Sequence, residues 1–247
     1  MHGLPFATQA VRLSPIYCGA WGTVLLVVLT SGCARFTRNS EDVTQLESRQ
    51  LTLRGKAALQ RERWQEAEDV LSQAVKVEPR SVQAHSQYAQ ALWNQNDREQ
   101  ALSHMREAIR LSGGDPQLMV ELGQMQLTEN QLTAAAQSAS IAVRARPDSA
   151  AAHALRAKVL HRQGNLEEAL AGYYRALSLQ SDYPDVQTKV AEIYQQTQRP
   201  QRSLAMLATV ADRYPPEEVP QRILQLQGVA FKSLGRYDDA IDRFVQA

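Results

Sequence analysis

Small residues recur along this chain with a fixed period of 34, and this feature constrains the fold more than any other. Three series carry the period: Ala67, Ala101, Ala135, Ala169 and Ser203; Ala74, Ala108, Ala142, Ala176 and Val210; and Gly55, Ala89, Gly123, Ala157 and Ala191. Self-similarity at such a period is typical of proteins built from stacked repeats, in which each repeat packs only against its neighbours. The chain therefore does not need one large core.

The repeat is expected to consist of two antiparallel helices. Two helices can approach closely only where the facing side chains lack bulk, which explains why the small residues recur in register. Pro79, Pro147 and Pro215 stand near repeat ends, where a residue without a backbone N–H ends a helix. Three additional residues lengthen the link before the last repeat, over residues 215–220, and we expect the array to bend or flex there.

These positions together resemble the tetratricopeptide repeat family, whose unit has 34 residues and carries small residues at its eighth, twentieth and twenty-seventh positions. The resemblance covers residues 48–247 and implies an all-α, right-handed superhelix (an α-solenoid) of about six helix-turn-helix units. Their expected bounds are 48–81, 82–115, 116–149, 150–183, 184–217 and an incomplete 221–247. Because no capping helix follows Ala247, we expect this chain to be part of a longer protein.

The amino terminus is expected to be a signal segment. Arg12 is the only charged residue before Arg35, and the most apolar run, residues 24–29, is too short to span a bilayer. Residues 29–33, Leu-Thr-Ser-Gly-Cys, resemble the lipobox of bacterial lipoproteins, although Thr30 stands where an aliphatic residue is usual. The resemblance implies removal of residues 1–32, acylation of Cys33 with palmitate-like chains, and a tether over residues 33–47. The alternative is an uncleaved single-pass anchor in the inner membrane.

Composition and motifs argue against several other classes of protein. Lys and Arg number 27 against 26 for Asp and Glu, so the chain lacks the general positive charge of a nucleic-acid binder. Only Cys18 and Cys33 are present, too few for a disulfide framework or a cysteine zinc site. The chain carries no Walker, GxGxxG, HExxH or GxSxG motif. We therefore expect no enzymatic activity, no metal and no cofactor.

The resemblance implies that ligand-facing side chains come from the first helix of each unit. The candidate groove residues are Gln83, Gln90, Trp93, Asn94, Gln124, Leu127, Lys158, His161 and Arg162. Across all units the inferred groove contains Arg49, Lys56, Lys158, Arg162, Arg222 and Lys232 against Asp185 and Glu192, which makes it mildly basic.

The part of this groove in the second and third units is expected to be neutral. Trp93 and Leu127 hold equivalent places there, so we expect them to lie within a side chain of each other. An exposed indole among glutamines suits an extended peptide, with Trp93 as the anchor and with Lys158 and Arg162 receiving an acidic group beside it. Alternatively, Trp93 only packs against the neighbouring unit.

The leading functional hypothesis is a non-catalytic, membrane-tethered scaffold of the bacterial cell envelope that binds a protein or an extended, acidic or polar peptide. The chain resembles the tetratricopeptide repeat lipoproteins that help assemble envelope machines, including the pilotins of type IV pili. This resemblance implies the periplasmic face of the outer membrane and a role in assembly. A second hypothesis makes the repeats the substrate-recruiting arm of a larger enzyme whose catalytic domain lies beyond residue 247.

Overall fold

The computed structural model describes residues 43–247, so Cys33, the signal segment and most of the tether lie outside the described residues. Within residues 43–247 there are twelve α-helices, one short 3-10 helix and no strand. The helices are α1 (43–60), α2 (Trp64–Val77), α3 (Val82–Asn94), α4 (Arg98–Leu111), α5 (Pro116–Thr128), α6 (Leu132–Ala145), α7 (Ala150–Arg162), α8 (Leu166–Leu179), α9 (Pro184–Gln196), α10 (Pro200–Ala211), α11 (Gln221–Ser233) and α12 (Tyr237–Gln246). None of these helices is long and apolar enough to cross a membrane.

The helices form an α-solenoid, as the 34-residue period predicts. Each odd-numbered helix from α3 packs most extensively on the helix that follows it, and each pair then packs on the next pair. The fold is all-α and is the right-handed superhelix expected of six repeat units. The 3-10 helix, Pro216–Glu218, occupies the longer link before α11.

The recurring small residues lie where the helices are closest. Ala67, Ala101, Ala135 and Ala169 are fully buried, and so are their counterparts in the second series. A methyl group added to Gly123 would come within 2.5 Å of Leu155, and one added to Gly228 would come within 2.6 Å of Phe244. At these two positions even alanine would require the facing side chain to move, whereas the equivalent Ala89, Ala157 and Ala191 are buried with their methyl groups in place.

Four helices, α3, α4, α5 and α7, begin with a side-chain hydrogen bond to the backbone. The side chains of Ser81, Asp97 and Ser149 each accept a hydrogen bond from the backbone N–H three residues further on, which satisfies a donor that the helix leaves free. At the start of α5, the Asp115 side chain accepts from the backbone N–H of Gln117, two residues further on, and α5, α9 and α10 begin with proline.

A left-handed residue follows the first helix of every unit. Positive φ angles between 55° and 84° occur at Glu62, Asn96, Asn130, Gly164, Gln198 and Gly235. The first five of these positions are 34 residues apart, and the sixth follows after the additional link residues. The turn that reverses the chain within a unit therefore has the same backbone in all six units, although different residues adopt it.

Candidate partner-binding groove

Three cavities are lined largely by the first helices of successive units. The largest, about 580 Å³, has Leu127, Lys158, His161, Arg162, Gly164, Leu166, Tyr173, Lys189, Glu192 and Gln196 around it, and we call it the basic pocket. An adjoining cavity of about 420 Å³ shares Lys158, Lys189 and Glu192 with it and extends to Asp185 and Arg222. A third, about 310 Å³, is the tryptophan pocket, which is lined by Gln90, Trp93, Glu121, Gln124, Met125 and Thr128.

Two cations of α7 face the basic pocket one helical turn apart. Lys158 is half-buried, and this burial lowers the pKa of its ammonium group, an effect that the nearby Asp185 opposes and Lys189 reinforces. Arg162 is exposed at the rim. Among residues 43–247, neither Lys158 nor Arg162 has a carboxylate within ion-pair distance, whereas nine other ion pairs are formed there. Their charges are available to a ligand.

The carboxylate in this pocket is already paired. Glu192 lies 2.8 Å from the Lys189 Nζ atom and 3.2 Å from a guanidinium nitrogen of Arg222, and only 11% of its side chain is exposed. These two cations offset its charge. The lining therefore has three cations, Lys158, Arg162 and Lys189, against one carboxylate.

The bottom of the basic pocket is aromatic and contains an unusual hydroxyl group. Tyr173 on α8 is fully buried, and its ring lies edge-on to His161 at 6.5 Å between centroids. The Tyr173 hydroxyl has no hydrogen-bond partner among the described residues. Burial raises the pKa of this phenol strongly, and Glu192 raises it further while Arg162 lowers it.

His161 links two units across the same pocket. Its Nε2 atom lies 3.2 Å from the Gln196 side-chain oxygen, which connects α7 with α9. Since an amide oxygen only accepts, Nε2 must carry the proton of this contact. This hydrogen bond joins α7 to α9 at the side of the pocket beside Arg162.

The tryptophan pocket differs from its expected form because it is not neutral. Glu121 lines it, and the Gln90 side-chain amide donates a 3.4 Å hydrogen bond to its carboxylate. The prediction that the groove is uncharged in the second and third units was therefore wrong. Glu121 is the sixth residue of its unit. The groove positions implied by the family resemblance do not include the sixth.

Trp93 combines the two roles that the sequence left open. Its half-buried ring packs against the apolar cluster that includes Leu118, Leu122 and Met125, and another part of the side chain lines the pocket. Leu127 belongs neither to this cluster nor to the tryptophan pocket. It is buried with Ala135 and Val159 and borders the basic pocket. The structure thus places Trp93 in a different pocket from Lys158 and Arg162.

The remaining sequence candidates are distributed unevenly. Gln90 and Gln124 join Trp93 in its pocket, and His161 joins Lys158 and Arg162. Gln83 and Asn94 are exposed and line none of these three cavities, and the Asn94 amide donates to the Gln90 carbonyl oxygen at 2.9 Å.

Sequence reasoning missed Lys189 and Glu121, which both hold the sixth position of their units. The equivalent residues in the other units, Leu53, Gln87, Leu155 and Leu226, are uncharged, so a charge at this register was the signal that could have identified them. Tyr173 was also missed as a pocket residue, because its register reads as core. Within residues 43–247 no group of three or more His, Cys, Asp and Glu side chains could hold a metal ion.

A right-handed stack of helix pairs with cavities along its first helices defines a helical-repeat scaffold. A family model for the tetratricopeptide repeat matches residues 52–116 and 120–184, which together make up more than half of the chain. The chain belongs to the tetratricopeptide repeat family. No curated protein matches it by sequence.

Several solved structures are similar in fold. The structure from a functional characterization of Pseudomonas aeruginosa pilF has a TM-score of 0.71 and 17% identity, with 82% of this chain and 91% of that chain covered. PilW, described as a widely conserved type IV pilus biogenesis factor, has a TM-score of 0.73 and 17% identity, with 81% and 91% covered. A tetratricopeptide repeat protein from Parabacteroides merdae has a TM-score of 0.68 and 16% identity, with 81% and 77% covered. At these identities the likeness is one of fold.

Proposed function

We propose that this protein is a non-catalytic adaptor that binds a partner polypeptide along the face formed by α3, α5, α7 and α9. The observation that carries this proposal is the series of cavities on these helices, in which Lys158 and Arg162 have no ion-pair partner from residues 43–247. Proteins of this family bind protein partners through such surfaces, and the partner here is a segment with acidic or polar side chains.

The tryptophan pocket and the basic pocket offer different contacts. The tryptophan pocket presents an indole with amide groups from Gln90 and Gln124, which suits an apolar side chain and the neighbouring peptide groups. The basic pocket presents cations and suits an acidic side chain. A partner that fills both must be extended, because the pockets belong to different units.

We also propose that the adaptor is tethered to a membrane of the bacterial cell envelope through lipidated Cys33 and assists the assembly of an envelope complex. The lipobox-like residues 29–33 support the tether. The fold shared with PilW, a type IV pilus biogenesis factor, supports the assembly role.

The test of partner binding is affinity capture from envelope extracts, with bound proteins identified by mass spectrometry. The double variant Trp93→Ala with Arg162→Glu should lose the specific partner while its helical circular dichroism is unchanged. Arg156→Glu is the matched control, because Arg156 is exposed on the same helix as Arg162 and lines another cavity. Equal capture by the double variant and the control would contradict the proposal.

A further inference from the structure

The hydroxyl group of Tyr173 serves no purpose in packing. The equivalent residues in the other units are Leu71, Met105, Ala139, Leu207 and Phe244, so this register is otherwise apolar. The Tyr173 ring fills the core between α7, α8 and α9 as those residues do elsewhere. Its hydroxyl group is buried without a partner in the described part of the chain, an arrangement that folded proteins avoid unless a ligand or water completes it.

The hydroxyl group lies towards the basic pocket. Tyr173 lines that pocket, and the charges of Glu192 and Arg162, which also line it, both influence the hydroxyl group. The buried donor is therefore below the same opening that Lys158 and Arg162 flank.

Three side chains of this pocket, Tyr173, Lys158 and Arg162, have no hydrogen-bond or ion-pair partner among residues 43–247, and the free groups of all three are donors. A tyrosine hydroxyl, an ammonium and a guanidinium group can each donate a hydrogen bond, and the last two are positively charged. The other polar groups are occupied, since His161 contacts Gln196 and Glu192 pairs with Lys189 and Arg222. A ligand that completes the pocket must supply negatively charged acceptors.

We infer that the basic pocket is a carboxylate-binding site, in which one oxygen accepts from the Tyr173 hydroxyl group and the carboxylate pairs with Lys158 and Arg162. The inference rests on the proposed function, because the carboxylate comes from the partner polypeptide. Its source is an aspartate or glutamate side chain or the partner's terminal carboxylate, and the two have the same chemistry. Leu127 and Leu166 provide apolar walls for the adjoining methylene groups.

The test uses the full chain, immobilised, to select binders from a displayed library of random dodecapeptides. Enriched peptides are synthesised and their dissociation constants measured by fluorescence anisotropy. We expect the enriched peptides to share an acidic residue, whose change to the corresponding amide weakens binding about tenfold. Amidation of the peptide terminus distinguishes a side-chain carboxylate from a terminal one. If the side-chain change weakens binding, the carboxylate comes from a side chain; if terminal amidation weakens binding, it comes from the terminus.

Variants then connect the carboxylate with the pocket. Tyr173→Phe should weaken binding of the acidic peptide about three- to tenfold and leave its amide counterpart within about twofold. Lys158→Gln and Arg162→Gln should behave in the same way, so the test does not depend on one variant. Arg156→Gln should have no effect. Thermal unfolding of each variant checks that the fold is retained.

Two outcomes would overturn the inference, and they differ in what else they affect. If enriched peptides depend on Trp93 but bind equally well with amide in place of acid, and Tyr173→Phe has no effect, the carboxylate site is wrong and the adaptor function stands. If no peptide is enriched, or the enriched peptides are indifferent to both Trp93 and Arg162, the proposed function fails together with the site.

Discussion

The guanidinium group of Arg98 lies 4.0 Å from the centroid of the Trp93 ring, and its Nη1 atom donates a 2.7 Å hydrogen bond to the Trp93 carbonyl oxygen. The same side chain approaches Glu129 of the next unit, with 3.4 Å between Nε and the carboxylate. Arg98 therefore orients the indole, caps the end of α3 and connects the second and third units.

Removing this side chain should destabilise the array. Arg98→Ala loses a cation–π contact and a charged hydrogen bond, and we expect the free energy of unfolding to fall by about 1 to 2 kcal/mol. Arg98→Lys keeps the charge but loses the planar stacking, so its free energy of unfolding should lie between those of the parent and Arg98→Ala. Urea unfolding followed by circular dichroism measures both. An unfolding curve of Arg98→Ala that matches the parent would show that the contact contributes nothing.

The left-handed turns offer a substitution that should stabilise the protein. Gln198 has a φ of 56°, a conformation that is unfavourable for residues with a Cβ atom. Gln198→Gly relieves this and should raise the free energy of unfolding by up to about 1 kcal/mol, reduced by the greater freedom of glycine in the unfolded chain.

Gln163 provides the matched control for this substitution. It follows α7 directly, with a φ of -81° in the helical region. The change Gln163→Gly gains nothing there and should lower the midpoint of thermal unfolding. The two glycine variants should shift the midpoint in opposite directions. Shifts in the same direction would contradict the assigned backbone at one of the two sites.

The second unit should be sensitive to acid through a histidine pair. The Nδ1 atoms of His85 and His104 lie 3.0 Å apart, and His85 Nε2 lies 3.1 Å from the Pro79 carbonyl oxygen. Since that carbonyl only accepts, His85 Nε2 carries a proton, and Nδ1 accepts from His104. Burial lowers the pKa of His104 below its usual value, His85 lowers it further and Glu107 opposes the shift.

The direction of the pH effect follows from this lowered pKa. The unfolded chain binds a proton at His104 more readily than the folded chain, so stability is complete above about pH 6.5 and falls as the pH decreases below that value. Tyr88 packs on His104 from α3, and Arg106, Glu107 and Arg110 surround the same cavity. The urea midpoint should therefore decrease between pH 7.5 and pH 5, and by less in His104→Gln. An equal decrease in the variant would rule out His104 as the cause.

The proposed tether has its own test in bacterial cells. Metabolic labelling with a radioactive fatty acid should mark the wild-type protein and not Cys33→Ser, because acylation requires the Cys33 thiol. Cys18→Ser is the control, since Cys18 lies in the segment expected to be removed. Labelling of both Cys33→Ser and the wild type, or of neither, would contradict the lipoprotein assignment.

The fold could be predicted from the sequence because every repeat needs small residues at the same positions, where its helices pack closely. Ala101 and Ala135 are both buried where two helices meet, and each such occurrence supports the assignment of the repeat. The left-handed turns follow the same period, but they use Glu62, Asn96 and Gln198 in addition to glycine, so residue type alone did not reveal them.

The candidate site was less predictable because its properties depend on side chains that meet across units. Lys158 and Arg162 could be placed together by their spacing on one helix. Three features depend on how neighbouring units pack: Trp93 and Leu127 line different pockets, Glu121 contacts the Gln90 amide, and the Tyr173 hydroxyl group has no partner among the described residues. A 34-residue register fixes backbones, whereas these contacts depend on individual rotamers.

Site-specific photo-crosslinking in cells tests directly whether a partner binds along the first helices of the units. A benzoylphenylalanine is introduced at Gln124 in the tryptophan pocket or at Gln196 beside the basic pocket, both of which are exposed. Gln137 and Ser178, exposed on the second helices α6 and α8, are the controls. Binding along the first helices predicts crosslinks to one partner from Gln124 and Gln196 and none from the controls. Crosslinks to that partner only from Gln137 or Ser178 would contradict binding along the first helices.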